Sequence, residues 1–373
     1  MSLASKRIRN YDYVVALNYY HPHVSGLTDM AKRVAEEMVA KGLTVCVVCQ
    51  RHDKSLAKFQ SINGVDVVRA SVLMRVSNGL ISMSFPFLIY LYAKRAKLLH
   101  LHLPMLESGL ISLVLSTPKL VSYQCDFVGP KSFFGKLIEV LIDRSCGSAV
   151  KRSESSVVSS WDYAENSRLK SALSDSIVIA PPLQVRQSSN PSFRKSSGFH
   201  YGFLGRVAAE KGLENLVAAF SSVAGPEDQL LIAGSPVSPE GREIYERLEA
   251  SSTEDSRINL LGFVAEVDVA DFYASIDAFV FPSINALEAF GIAQAEAKAL
   301  GIPLVTSDLP GVRTVVDTSD AGVLIRPNDI AALAVGLKEV QKIRRKSPNV
   351  GSDTSLQKYS DLVLRLLEHD SND

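Results

Sequence analysis

The chain has 373 residues, 46% apolar and 21% charged, with 40 Lys+Arg against 40 Asp+Glu. That length exceeds one ordinary core, so two domains are expected, and the composition excludes a disordered chain. Zero net charge gives no case for a nucleic-acid partner, yet the halves differ: residues 1–185 hold 22 Lys+Arg against 14 Asp+Glu, and residues 186–373 hold 18 against 26.

The opening MSLASKRIRNYDYVV has no apolar h-region and runs straight into a strand, so no signal peptide is expected. A strand at Asp12–Leu17 is followed by the loop Tyr19-Tyr-His-Pro-His-Val-Ser-Gly26 and a helix over Thr28–Lys41, stopped by Gly42. A glycine such as Gly26 at a strand-to-helix junction allows a phosphate close to the main chain. Further strands are predicted at Thr44–Cys49, Val65–Arg69, Leu98–Leu103, Lys119–Tyr123, Ser155–Ser159 and Ile177–Ala180. Cys46 and Cys49 form a C-x-x-C on one of these, where an i, i+3 pair faces opposite sides. Packing is therefore expected there, and the four cysteines fit a reducing compartment. The apolar patch Leu80–Ala93 is too short to span a bilayer, and a cytoplasmic location follows. His100 and His102 alternate along their strand and face one side, a packed pair without a third metal ligand. Lys131–Arg144 places Phe133, Phe134, Leu137, Ile138, Leu141 and Ile142 at helical spacing. A core-facing helix is the plain expectation, and an interfacial helix toward a lipid is the alternative.

Pro181-Pro182 closes the first half, and the polar stretch Gln184–Gly198 reads as an interdomain linker. Strands resume at His200–Leu204, Gln229–Ala233, Ile258–Leu261, Ala278–Phe281 and Leu304–Thr306, with helices between them. Helices over Ile330–Ile343 and about 354–367 finish the chain. The expected architecture is α/β, two doubly wound Rossmann-like domains of 1–185 and 186–373 facing a cleft, with the last helix packing back on the first domain.

Two stretches of the second half carry chemistry. Gly205-Arg206-Val-Ala-Ala-Glu-Lys211-Gly212 follows the first strand, placing Arg206 and Lys211 where they can clamp phosphate oxygens. Glu210 reads as a solvated neighbour of Lys211. After Ala278–Phe281 comes PSINALEAFGIAQAE, with Glu288 and Glu296 separated by seven residues and an Ala-rich helix ending before Gly301. The backbone of Phe290, Gly291 and Ile292 is expected to form that helix's first turn, whose unpaired N–H groups suit a diphosphate. Two carboxylates flanking such an anion suit hydroxyls at either end, a sugar at one and a ribose at the other.

The string PS-x4-EAFG-x4-E closely resembles the signature of retaining GT-B-fold glycosyltransferases of family 4, glycosyl transferases group 1, and GR-x4-KG is similar to that family's pyrophosphate-binding pair. The resemblance implies a metal-independent hexosyltransferase with no cofactor. It would move a sugar from a nucleotide-diphosphate donor, a UDP-sugar ahead of GDP-mannose, to a glycan or lipid-linked acceptor hydroxyl. Arg206 and Lys211 would stabilise the departing diphosphate, Glu288 would hold the sugar, and Glu296 the ribose. The acceptor proton would pass to the leaving phosphate oxygen. Phe263 and Val264, ending the strand at Ile258–Leu261, correspond to the loop that packs around the nucleobase. Ser25-Gly26 resembles the family's Gly-Gly loop with serine in first place. His102, Gln124 and Asp126 fall on segments near the acceptor, with Gln124 where a histidine usually stands. Apart from the resemblance, the basic first half, the Phe133–Ile142 helix and the apolar Leu80–Tyr92 stretch lead to an expected peripheral contact with the anionic inner face of the cytoplasmic membrane. A nucleotide-sugar epimerase of the same fold and a two-lobed solute-binding protein are the competing readings.

Overall fold

A computed structural model describes residues 10–369, apart from 24, 77–78, 130–131, 186, 286, 317–321 and 350–353. The leader expectation on the first nine residues, Lys131 and the boundary residue Arg186 thus lie outside the described residues. The chain forms two compact units, Met1–Pro182 with Thr354–Asp373, and Leu183–Asp353.

Unit 1 runs β1 (Tyr13–Ala16), α1 (Gly26–Ala40), β2 (Val45–Gln50), β3 (Phe59–Ile62), β4 (Val65–Ala70), β5 (Met74–Val76), β6 (Gly79–Ile81), α2 (Ser84–Ala93), β7 (Leu98–Leu103), α3 (Ser108–Val114), β8 (Lys119–Tyr123), α4 (Phe133–Lys151), β9 (Ser155–Val158), α5 (Trp161–Asn166) and β10 (Ile177–Val178). Its main sheet has the order β10-β9-β8-β7-β1-β2-β4-β3, parallel except where β3 pairs antiparallel with β4. β1, β2, β7 and β8 are buried along their whole length, which is why they are mostly apolar, with buried polar residues such as His100, His102 and Ser122 among them. The β3 hairpin was not anticipated, although its turn residues Asn63 and Gly64, both at positive φ, are a recognisable hairpin signal. α1 starts at Gly26, two residues before the predicted start, and its N-cap Ser25 closes a capping box with Thr28.

Unit 2 runs β11 (His200–Leu204), α6 (Leu213–Val223), β12 (Gln229–Ala233), α7 (Pro239–Glu254), β13 (Ile258–Gly262), α8 (Val269–Ser275), β14 (Ala278–Phe281), α9 (Ile292–Ala299), β15 (Leu304–Ser307), β16 (Gly322–Ile325) and α10 (Ile330–Val340). Its sheet is parallel throughout, in the order β13-β12-β11-β14-β15-β16. That is the doubly wound order whose direction of growth reverses between the first and fourth strands, here β11 and β14. The stretch read as a linker is packed onto this unit. Asp271 on α8 accepts from Ser188 and Asn190 at 2.5 and 2.6 Å, Phe193 N–H donates to Ser275, and Arg194 pairs with Asp277.

The chain then ends in α11 (Ser355–His369), which belongs to unit 1. Tyr359, Leu362, Val363 and Leu367 join Val34, Met38 and Val47 in one buried cluster. α4 corrects the core-facing expectation. Gly135, Ile142, Cys146, Ala149 and Val150 face inward, whereas Phe133 and Phe134 are 79% and 73% exposed, and Leu137, Ile138 and Leu141 are also exposed. Among the described residues no helix is long and apolar enough to cross a membrane.

Candidate functional site

In a doubly wound sheet the carboxyl ends of the two strands at the reversal point leave a crevice, because their following helices depart to opposite faces. In unit 2 these strands are β11 and β14, and the loops leaving them are the two stretches singled out above. Gly212, at φ 65°, ends the short 3-10 turn Ala209–Lys211 and begins α6. A Cβ there would collide with the Pro282 carbonyl, so only glycine lets the two loops lie this close. Ile284 N–H donates to the Glu210 carbonyl at 2.9 Å, tying the loops together.

The consequence is a short ion pair between Lys211 Nζ and Glu288 Oε2, with both side chains nearly buried. The ammonium also lies 5.2 Å from the centre of the Phe281 ring, a cation–π contact at the end of β14. Arg206 stands at the same strand end, more exposed, and pairs with Glu210 at 3.3 Å. Glu210 is thus a partner of the clamp arginine and not the solvated neighbour expected.

Gly291, at φ 83°, is the N-cap of α9, so Phe290 lies outside the helix and the first turn starts at Ile292, two residues later than predicted. A Cβ on Gly291 would stand 2.7 Å from the Phe281 ring. Ile292, Ala293 and Gln294 follow, and their amides begin the helix. The loop before it is pinned by Gln294, a residue the sequence reading passed over. Its buried amide donates to Phe290 O at 2.6 Å and to Val312 O at 3.0 Å, and accepts from Thr306 at 2.9 Å. A glutamine fully buried in a helix's first turn has no signal in sequence alone.

Glu296 lies further along α9. Tyr273 of α8 places its hydroxyl 3.1 Å from Glu296 Oε2 and 2.9 Å from Ala293 O, and Gln184 N–H donates to Glu296 Oε1 at 3.1 Å. Burial, reinforced by the Glu296 charge, raises the Tyr273 phenol well above its ordinary value, so it remains a donor. Tyr273 was also missed, since a tyrosine among apolar helix residues reads as core. Gly205 follows β11, Phe263 beyond β13 is 68% exposed, and Val264 packs against the core beneath α8.

Unit 1 reverses its strand order between β1 and β7, and the loops leaving these strands meet where Asn18 donates to Pro104 O at 3.2 Å. Ser25 caps α1 and Gly26 is its exposed first residue. His102 is 2% exposed and stacks on His100 with ring centres 4.2 Å apart, and neither of its ring nitrogens has a hydrogen-bond partner. Burial pushes it down to about 3, a neutral imidazole. His100 is bonded to Tyr13 and Ser122 at 2.5 and 2.7 Å. Gln124 points its amide toward Met30 Sδ at 3.9 Å. Asp126 is 7% exposed and accepts from Tyr123, Ser167 and the Arg168 N–H at 2.5, 2.6 and 3.1 Å. Those donors make it an anchor of the loop before α4. Among the described residues no three His, Cys, Asp or Glu side chains gather to hold a metal ion.

Comparison with known proteins bears on the family and the fold. Residues 186–354 match the family described as glycosyl transferases group 1. The capsular polysaccharide biosynthesis glycosyltransferase CapM of Staphylococcus aureus is 25% identical over 174 residues, 45% of this chain and 44% of that protein. The chain thus spans under half the length of the curated relatives it matches. Among solved structures, sucrose-phosphate synthase from Thermosynechococcus elongatus superposes with a TM-score of 0.71 at 18% identity, covering 96% of each chain. HepE of Anabaena, in complex with UDP-glucose, gives 0.72 at 15% identity over 96% of this chain and all of that one. Residues 186–354, which hold every candidate from Gly205 to Glu296, therefore match the glycosyl transferases group 1, and the chain as a whole has the α/β GT-B fold of its structural neighbours.

Proposed function

We propose that the chain is a hexosyltransferase that moves a sugar from a nucleotide-diphosphate donor to an acceptor hydroxyl with retention, without a metal or cofactor. The observation that carries this reading is the convergence of Arg206, Lys211, Glu288 and the first turn of α9 at the β11/β14 reversal point. An incoming diphosphate competes with Glu288 for Lys211. The ammonium turns to the phosphates, and the released carboxylate faces the transferred sugar. Arg206, the loop amides of Phe290 and Gly291 and the first α9 amide, Ile292, take further charge of the leaving group, the largest expected term in catalysis. Glu296, oriented by Tyr273, binds the ribose hydroxyls, while Gly205, Phe263 and Val264 border the base. UDP is the favoured base carrier, in keeping with the UDP-glucose complex of HepE. The acceptor proton leaves with the phosphate oxygen.

Unit 1 takes the acceptor, a cell-surface or lipid-linked glycan, with Ser25, Gly26, His102 and Gln124 nearest its β1/β7 reversal point. The polysaccharide role printed for CapM supports that class of product. The apolar residues exposed on α2, α3 and α4, including Phe87, Leu110, Leu113, Phe133 and Phe134, form the face that meets an anionic inner leaflet. Exposed Lys94, Arg95, Lys136 and Arg144 border it and complement that leaflet's charge. In this reading the protein works in the cytoplasm at the membrane surface. The family match favours neither an epimerase nor a solute-binding protein.

The test is Lys211→Ala assayed on a panel of nucleotide sugars, first by slow donor hydrolysis and then with acceptors. Removing one preformed cation should lower kcat by about 10²–10³. Turnover within threefold of wild type would overturn the assignment.

A further inference from the structure

The least explained charge in the molecule is Arg69, which sits in β4 and is 2% exposed. No carboxylate pairs with it among the described residues. Its guanidinium donates to Ala57 O at 3.1 Å, Gln60 Oε1 at 3.2 Å and His21 O at 2.9 Å, and its Nε–H has no partner. Burying a cation without a counter-charge is costly, and such groups persist mainly where their field is used. Beside Arg69 lie Tyr19 and His23 from the loop after β1, and His52, which follows β2. The Tyr19 and His23 ring centres are 4.4 Å apart, Tyr19 and His52 5.8 Å, and His23 and His52 5.5 Å. All three rings are partly exposed, whereas the arginine is not. His52 has a buried Nδ1 with no hydrogen-bond partner, and its backbone carbonyl accepts from Arg75 at 3.4 Å. Burial first, and then the Arg69 charge, lower its pKa, so it meets a ligand as a neutral donor.

The surroundings are predominantly basic, although the Asp53 carboxylate neighbours His52. Residues 51–75 hold five Lys+Arg against two Asp+Glu. The two acids are otherwise engaged, Asp53 by Ser55 at 2.7 Å and Asp66 by Tyr11 at 2.9 Å. The cluster stands beyond the carboxyl ends of β1, β2 and β4, where doubly wound sheets receive ligands.

We propose that His52, His23 and Tyr19, backed by the buried Arg69 cation, form an anion subsite of unit 1 for a phosphate or carboxylate group carried by the acceptor. His52 makes the direct contact, and Arg69 positions the anion by its field and by holding the loop at His21. The word acceptor rests on the function proposed above, whereas the anion site does not. The two are therefore tested apart.

Imidazole-labelled full-length protein is titrated with glycerol 3-phosphate in a Lys211→Ala background, which removes the unit 2 cation clamp. The signals of His23 and His52 should move, and those of buried His100 and His102 should not. His52→Phe keeps the ring, and Arg69→Met keeps most of the buried volume. Each should weaken the affinity by about tenfold, the worth of one hydrogen bond to a charged group. Should Arg69→Met fail to fold, His52→Phe carries the test alone. A parallel arm uses vesicles of phosphatidylcholine with phosphatidic acid. A response to the soluble phosphate assigns a soluble acceptor group, and a response to vesicles alone assigns a lipid headgroup. Unmoved His23 and His52 signals in both arms, or unchanged affinity in His52→Phe, overturn the proposal. Phosphate binding in a protein that proves inactive toward every donor would sink the transferase reading and leave the anion site standing.

Discussion

Mild acid should destabilise unit 1 through its stacked histidines. His100 and His102 are buried on β7, and their surroundings are Tyr13, Ser122 and each other. Among the described residues no carboxylate bonds to either ring. Burial, and for His100 also its neighbour's charge, lowers both pKa values, that of His102 to about 3. In the unfolded chain each titrates near 6.5. A folded pKa held below the unfolded one means the unfolded state binds the extra protons as pH falls. Stability is then complete above about pH 6.5 and is lost progressively between there and about 3. At pH 5.5 each histidine costs roughly RT ln 11, on the order of 1–2 kcal/mol, and the pair about 3 kcal/mol. That figure barely depends on the folded values so long as they lie well below 5.5. Asp12 changes little between pH 7.5 and 5.5: burial opposes ionisation, yet bonds from Lys97 and Thr44 hold it at about 2, so its contribution is lost only at lower pH. The assay is hydrogen exchange of β7 and β8 amides at pH 7.5 and 5.5, corrected for intrinsic rates. His100→Gln/His102→Phe is the comparison, because subtraction cancels every other titrating group. Protection should fall by about 3 kcal/mol in wild type and by far less in the double variant. An equal fall in both would refute the reasoning.

Gly291→Ala forces a Cβ into a positive-φ position and against the Phe281 ring, so unit 2 should lose about 1–3 kcal/mol and its first α9 turn should move. Thermal unfolding with and without UDP reads both effects, and wild-type values would show that the loop relaxes freely. Tyr273→Phe removes the hydroxyl beside Glu296 and should raise the Kd for UDP about tenfold with a small change in melting temperature. Equal calorimetric affinities would return Tyr273 to a packing role. Vesicles containing phosphatidylglycerol should float the protein at low salt and release it at high salt. Phe133→Glu/Leu137→Glu should stay in the bottom fraction, and co-flotation of that variant would take α4 out of the interface.

Much of the local architecture was legible in the chain. β1, β2, β7, β11, β12 and β14 are buried parallel strands, and such strands read as continuous apolar runs wherever they occur. The loop glycines at 291 and 301 and the two spaced glutamates marked the end of β14 and both ends of α9, since the backbone there demands particular residue types. What the chain could not reveal is who meets whom. Lys211 and Glu288 lie 77 positions apart, and only the juxtaposition of β11 and β14 turns them into an ion pair. α11 has the periodicity of any amphipathic helix, and nothing local says that it completes the core of unit 1. The α4 pattern is likewise silent on whether Phe133 and Leu137 find a partner surface, and the fold leaves them in solvent. Arg69 reads as a strand-end cation, and only the packing of β4 beneath the loop after β1 buries it without a carboxylate. Periodicity records how much of a side chain is hidden, because burial acts residue by residue. Charge pairing and buried polar contacts depend on groups distant in sequence, and tertiary packing alone brings these together.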